Sequence, residues 1–454
     1  MKPLAIVLLC CTLISPVVSA DVWNIEIVDS SSDNISGTSL VLDADNNPHI
    51  SYQDQDSENG AKLKYAYWNG SSWEITVIDT GSTEDGLAHY TSIALDSEGH
   101  PRIAYTDQDT EELKYASWNG SSWVITVVTT ANPIGFKCSL CIDSEDNPSI
   151  AFDAAIPSIT HLWYARLVGV TWYISLVDPG YAAGLWPSMA LDGNDNPHIS
   201  YLGAYYDDMR YAVLGPEVWS LYTVESGNVG RYSSIAIDDN NRPHISYFDD
   251  HPIYNVNYAY YNGSTWDISI VNNVGDVLNQ SSIAIRNDGE PTVTYYSNTY
   301  NCLMYARYAG SAWINSVIDD DPCVGFFSSL AFDSENKPHV SYREALGENR
   351  NLRYAYYGYT GIEEEEEGDP GIVLSDITPN PTTGSANISF SLQISCDINL
   401  DVFDITGRKV AVLAEGTFSS GTHETEISEL GSGVYFCMLR AGDFVDTKML
   451  VVIK

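Results

Sequence analysis

Three residue patterns in this chain have spacings that could do chemistry. Cys138 and Cys141 stand in "CSLC", the interval of a redox pair or of half a zinc site. No second such pair or nearby histidine cluster completes a zinc site. Residues three apart on a strand also point to opposite faces, so a structural role is expected for both cysteines. Acidic runs form the second pattern: "DADNNP" from Asp43, "DSEDNP" from Asp143 and "DGNDNP" from Asp192. They resemble oxygen-rich calcium loops, but a calcium loop also wants a glycine at its sharp bend and a closing glutamate. Asp and Asn build turns without an ion by bonding their own backbone. Calcium is the one cofactor the pattern leaves open, and no other metal is expected. The third pattern is a histidine position, His49, His198, His244 and His339, which elsewhere holds Arg102, Ser149 or Thr292. A position that accepts all four residue types is structural. With no Ser-His-Asp order, phosphate loop or His-Glu zinc motif, no catalytic residue is expected.

The elements that carry these residues recur. A Ser-apolar-x-apolar-Asp motif starts at Ser39, Ser92, Ser139, Ser188, Ser234, Ser282 and Ser329, with Arg286 replacing the Asp of the sixth copy. A proline follows five positions after the Asp position, at Pro48 to Pro338, and a tyrosine-centred strand comes later, from Tyr65 to Tyr354. In six copies a tryptophan stands eight residues after that tyrosine, from Trp73 to Trp313. Alternating apolar residues separated by turns give four short strands per unit, with "NGSS" as a hairpin turn. The seventh unit lacks its fourth strand, since Ile362 and "EEEEE" stand where it should be. The segment "DVWNIEIVDS" after Ala20 supplies the matching strand, with Trp23 in the tryptophan position. The expectation is an all-β chain whose first part is a seven-bladed β-propeller closed by its N-terminal strand, which removes exposed sheet edges.

Loop lengths separate two rims. The first and third turns of each unit share one rim and keep their lengths. The second loop and the connection between units share the other rim and vary, and function on a scaffold favours variable loops. Two residues before each motif serine stand Gly37, Tyr90, Lys137, Trp186, Tyr232, Gln280 and Phe327, which should ring the mouth of the central channel. Acids and tyrosines of the second loops lie nearby, among them Asp54, Asp107, Glu344, Tyr205, Tyr206, Asp249 and Asp250. Flat aromatic faces beside hydrogen-bonding carboxylates suit a sugar or a protein partner. The expected ligand-binding set is Tyr90, Trp186, Tyr232, Phe327, Tyr205, Tyr206, Asp249 and Asp250. The bland alternative is that the aromatics pack between units and the acids solvate loops.

The chain of 454 residues opens with Lys2, an apolar run and "VVSA", a secretory signal expected to be cut after Ala20. No later stretch is apolar for long enough to span a membrane as a helix. With 61 acidic and 21 basic residues, nucleic acid is not an expected partner. Residues 361–371, "GIEEEEEGDPG", read as a charged, extended linker between a propeller over 21–360 and a smaller domain over 372–454. Alternating segments such as "ISFSL", "LDVFDI" and "GVYFCML" predict a small C-terminal β-sandwich there.

Two resemblances add to this reading. The repeats loosely resemble secreted bacterial propellers related to the sialidase superfamily, although "SIALDSEGHP" does not reproduce that family's Ser-x-Asp-x-Gly-x-x-Trp box. In the tail, "PNPTTG" (Pro379, Asn380, Pro381, Gly384), "DITGRKV" (Gly407, Arg408), "SGVYFCMLRAG" (Gly433, Tyr435) and the terminal Lys454 resemble the type A sorting domain of the type IX secretion system. That resemblance implies the type IX machinery as partner, and a product secreted from, or held on the outer surface of, a Gram-negative bacterium. The expected function is binding of an extracellular glycan or protein through the variable rim. The alternatives are an enzyme acting on extracellular polysaccharide, a glycosidase or lyase, and a structural or adhesive surface protein.

Overall fold

The computed structural model describes residues 21–454 except 31–33, 56–58, 84–85, 131–133, 156–158, 204–206, 217, 250–253, 273–276, 278–279, 346–349, 360–372, 376, 393–395, 405–407, 429, 442–443 and 454. The expected signal segment and the acidic linker lie outside the described residues. All regular structure among them is strand, divided between a unit over Trp23–Gly358 and a C-terminal unit.

The larger unit holds seven four-stranded antiparallel sheets that resemble propeller blades. In the first, Ile35–Leu42, Pro48–Asp54, Lys62–Trp68 and Trp73–Thr80 follow each other in space as in sequence. The seventh takes three strands from Val324–Phe332, Pro338–Glu344 and Leu352–Tyr359, and its fourth is Asp21–Asp29 from the other end of the chain. Burial grades across each sheet. Pro48–Asp54 is buried throughout, as a strand covered on both faces must be, whereas Trp73–Thr80 is mostly exposed.

The motif serine explains its own recurrence. Each serine hydroxyl accepts a backbone N–H from the inner strand of the next sheet: Ile93 to Ser39 at 3.2 Å, Leu140 to Ser92 at 2.9 Å, Met189 to Ser139 at 2.9 Å, and so on in order. Ile235 and Ser188, Ile283 and Ser234, and Leu330 and Ser282 continue the series. The seventh bond, Leu40 to Ser329 at 3.0 Å, joins the last sheet to the first. The tryptophan position forms a parallel series. Each indole stands edge-on to the central tyrosine of the preceding sheet, from Trp73 on Tyr354 (5.3 Å) to Trp313 on Tyr258 (5.1 Å). Trp23 makes the same contact with Tyr305 at 5.5 Å. Apolar clusters fill the junctions, for example Leu63, Leu87, Ile93 and Ile103 between the first two sheets.

The acidic first turns are built as the backbone requires. Asp43 accepts N–H groups from Asp45 and Asn47 at 2.9 and 2.7 Å, and Asn46 takes a left-handed φ of 64°. The Asn46 side chain then accepts the N–H of Ser334 in the neighbouring sheet at 3.0 Å. Asp146 and Asp195 do the same for Ser97 and Ser144. Among the described residues no cluster of three metal-ligating side chains forms.

The C-terminal unit has a four-stranded sheet, ordered Lys409–Phe418, Cys396–Asp404, Gly433–Ala441 and Phe444–Val452, and a three-stranded one of Val373–Leu374, Ala386–Leu392 and Gly421–Ile427. Ile388 and Phe390 of the smaller sheet share one core with Leu400, Val402, Leu439 and Leu450 of the larger.

Candidate functional site

The inner strands do not run straight into the variable rim. Pairing slips between Leu185 and Ser188, between Arg231 and Ser234, and between Phe326 and Ser329. Gly184, Gly230 and Gly325 open each bulge at φ near +105°, where a Cβ would strike Leu162, Met209 or Leu303 of the preceding sheet at 2.4–2.7 Å. Two residues on, Trp186, Tyr232 and Phe327 take φ of 52°, 51° and 55°. Gly37 holds the equivalent place at 57°. A left-handed aromatic residue costs roughly 1–2 kcal/mol that glycine avoids. Such strain held in a repeat points to a use for the side chain it re-aims.

These side chains converge. The Trp186 and Tyr232 rings lie 4.7 Å apart, and those of Tyr90 and Phe327, from the second and seventh sheets, 5.7 Å apart. Burial first, and then repulsion from Tyr232, raise the Tyr90 phenol above its ordinary value. All four residues are half-buried. Three cations border them: Lys137 with Nζ 6.0 Å from the Tyr90 ring, Arg231 5.8 Å from Trp186, and Arg343 4.9 Å from Phe327. The four predicted aromatics therefore form two ring pairs with cations at their borders. Sequence reasoning named Lys137 in this ring but missed Arg343, which lies on the second strand of the seventh sheet and points to no motif.

The rim acids are placed otherwise. Asp54 lies 2.7 Å from Lys64, Asp107 2.7 Å from Lys114, and Glu344 2.9 Å from Arg353. Each belongs to a junction in which a buried tyrosine bonds an acid of the preceding sheet: Tyr52 to Asp29 at 2.7 Å, Tyr105 to Asp79 at 2.8 Å, Tyr342 to Asp319 at 2.6 Å. Asp249 occupies the matching strand end, half-buried, opposite Asn255. Tyr205, Tyr206 and Asp250 lie outside the described residues. The histidines are structural pieces of the opposite rim, with His49 and His198 sharing hydrogen bonds of 2.6 Å with Tyr65 and Tyr211. On that rim a cavity of about 540 Å³ opens between the first two sheets, lined by His49, Tyr67, His100 and Trp118. Of the cysteines, Cys138 and Cys437 are buried with thiols raised to about 12 by burial, and the six among the described residues are free thiols.

In the C-terminal unit the tail motifs brace the last strand. Asn380 donates to Met449 O at 2.6 Å and accepts from Val451 N at 2.9 Å, while Thr382 pairs with Val452. The Pro379 and Pro381 peptides are cis. Gly384 N–H bonds the Thr382 hydroxyl, Arg408 clasps Asp404 at 3.0 Å, and the Tyr435 hydroxyl, beside Gly433, donates to Gly431 O at 3.1 Å. Gly407 and Lys454 lie outside the described residues. Residues 376–454 match the family model of the secretion system C-terminal sorting domain. The tail is a type IX sorting domain. A chain that carries this sorting domain is secreted or placed on the outer surface of a bacterium of the Bacteroidetes.

Solved structures resemble the chain at low identity. An ulvan lyase from a new family of polysaccharide lyases, bound to a saccharide of glucuronate and sulfated rhamnose, aligns at TM-score 0.54 and 14% identity over 73% of this chain and 96% of its own. The same description without saccharide gives TM-score 0.53 at 14% identity, over 73% and 96%. A Dyadobacter fermentans protein of unknown function gives 0.50 at 9% identity, over 74% and 98%. These likenesses concern the fold. No curated protein matches the chain.

Proposed function

We propose that the Trp23–Gly358 unit is a closed seven-bladed β-propeller, followed by a small β-sandwich that directs export, and that the propeller binds an extracellular glycan at its channel mouth. Closure is supported by the serine and tryptophan series, both of which pass from the seventh sheet back to the first. One observation carries the binding reading: Trp186, Tyr232 and Phe327 hold left-handed backbone that glycine would adopt at lower cost, and remain half exposed beside Tyr90. Sugar rings stack on such faces, and pockets that bind small ligands combine aromatic walls with a few polar groups. Solved propeller-like neighbours that act on saccharides lend the reading a precedent in fold alone. For an enzyme the rim would need a free acid-base pair, and Asp54, Asp107 and Glu344 are engaged by cations.

A glycan-array screen of the mature chain, beside a Trp186→Ala/Tyr232→Ala variant, tests this. Binding that disappears in the variant at unchanged melting temperature is expected. Silence across a broad array would overturn the glycan reading in favour of protein adhesion.

A further inference from the structure

The chemistry of the ligand can be read from the charges left unmatched. The protein carries 61 acidic residues, and its other buried or half-buried cations in the junctions are paired: Lys64 with Asp29 and Asp54, Lys114 with Asp107, Arg353 with Asp319 and Glu344. The channel mouth departs from this rule. Among the described residues Arg343 donates to neutral oxygens alone, Asn34 Oδ1 at 3.3 Å and Ile35 O at 3.1 Å, and its Nε is buried without a partner there. Lys137 is 7% exposed, and its ammonium makes no ion pair among the described residues. Asp153 accepts the Lys137 backbone N–H at 3.4 Å and attracts the ammonium without forming an ion pair with it. Burial pulls Lys137 down to about 8 and, with Arg350 adding repulsion, Arg343 down to about 10.

Burying a cation without a counterion is unfavourable by several kcal/mol. In a chain this rich in carboxylates, two such cations beside the Tyr90–Phe327 pair leave room for an anion from outside. Arginine also suits carboxylate and sulfate, whose oxygens accept its paired N–H groups. We propose that the mouth takes an acidic saccharide, a uronate or a sulfated sugar, whose anionic group sits at Arg343 and Lys137 while its ring face lies on the Trp186–Tyr232 pair. The proposal rests on the glycan reading above and narrows it.

The test is calorimetric titration of the mature chain with three probes: an oligogalacturonate, a sulfated galactan oligomer and a neutral xylo-oligosaccharide. Binding of one or both acidic probes is expected, at least tenfold tighter than the neutral one, with the preferred probe telling carboxylate from sulfate. Arg343→Met and Lys137→Met should each weaken it tenfold or more, and Lys137→Met, which removes a buried charge, should fold at least as stably. A neutral probe that binds equally well and is lost in Trp186→Ala/Tyr232→Ala would overturn the anionic claim and leave the glycan site standing. Acidic binding unchanged in both Met variants would also overturn it. Failure of every probe on the intact chain would overturn the site as well.

Discussion

Replacing Asp29 by Ala tests how the sheets are held together. Asp29 is 3% exposed, accepts the Tyr52 hydroxyl at 2.7 Å, and lies 2.9 Å from the Lys64 ammonium. Its loss takes the acceptor from the buried Tyr52 hydroxyl and one carboxylate from Lys64, with Asp54 retained at 2.7 Å. Breaking one side of a buried ion pair destabilises by about 3–5 kcal/mol, and the retained Asp54 sets the lower end, ~3 kcal/mol. The chain supplies the compensating control. At the junction between the second and third sheets the same four positions are Thr129, Phe152, Ala154 and Trp163. The fourfold variant Asp29→Thr, Tyr52→Phe, Asp54→Ala and Lys64→Trp removes every polar partner together, and should lie within ~2 kcal/mol of the parent. Urea unfolding followed by tryptophan fluorescence reads this unit selectively, because all 11 tryptophans lie between Trp23 and Trp313. At a slope of about 3 kcal/mol per molar, Asp29→Ala should lower the midpoint by about 1 M. A loss below ~1 kcal/mol, or a fourfold variant as unstable as the single one, would refute the reasoning.

Two further outcomes follow from the same contacts. His244 is 4% exposed, faces Asp238, Tyr258, Tyr260 and Arg242, and is held down to about 4 by burial, against the pull of Asp238. Its folded pKa lies below the unfolded one, so its contribution is complete above about pH 6.5 and is lost as pH falls towards 4, by ~3 kcal/mol in all. His244→Thr, which copies Thr292, should flatten the stability profile in that window, and an unchanged profile measured by urea titration would contradict this. Trp23→Ala, which removes the indole packed on Tyr305 and Tyr357, should cost about 3–5 kcal/mol in the same assay although it lies in the terminal strand. A negligible effect would mean that the N-terminal strand does not complete the seventh sheet.

The period located the strands because serine, proline, tyrosine and tryptophan each meet the same partner in successive sheets. Trp23 was legible at the wrong end of the chain for that reason. The junctions were not. Tyr52 and Asp29 are 23 residues apart and belong to different units, so their pairing emerges only once the fourth strand of one sheet is known to face the second strand of the next. Within the chain the signal exists: where the acid is replaced by Thr129 the tyrosine becomes Phe152 and the cation Trp163. The aromatic mouth was legible as four residues at one repeat position, but not its shape. Gly184, Gly230 and Gly325 precede the motif serine by four residues, and this Gly-x-x-x-Ser spacing was the available sign of the bulge. Asp54, Asp107 and Glu344 looked like ligand-facing acids because their cations, ten, seven and nine residues downstream, carry no loop signature.

A crystal structure of the mature chain with the tightest-binding oligosaccharide is the most direct test of a ligand site at the mouth. Saccharide density on the Trp186–Tyr232 pair, with an anionic group at Arg343, is the expected result. Density confined to the opposite rim, in the cavity beside His49 and Trp118, would contradict it.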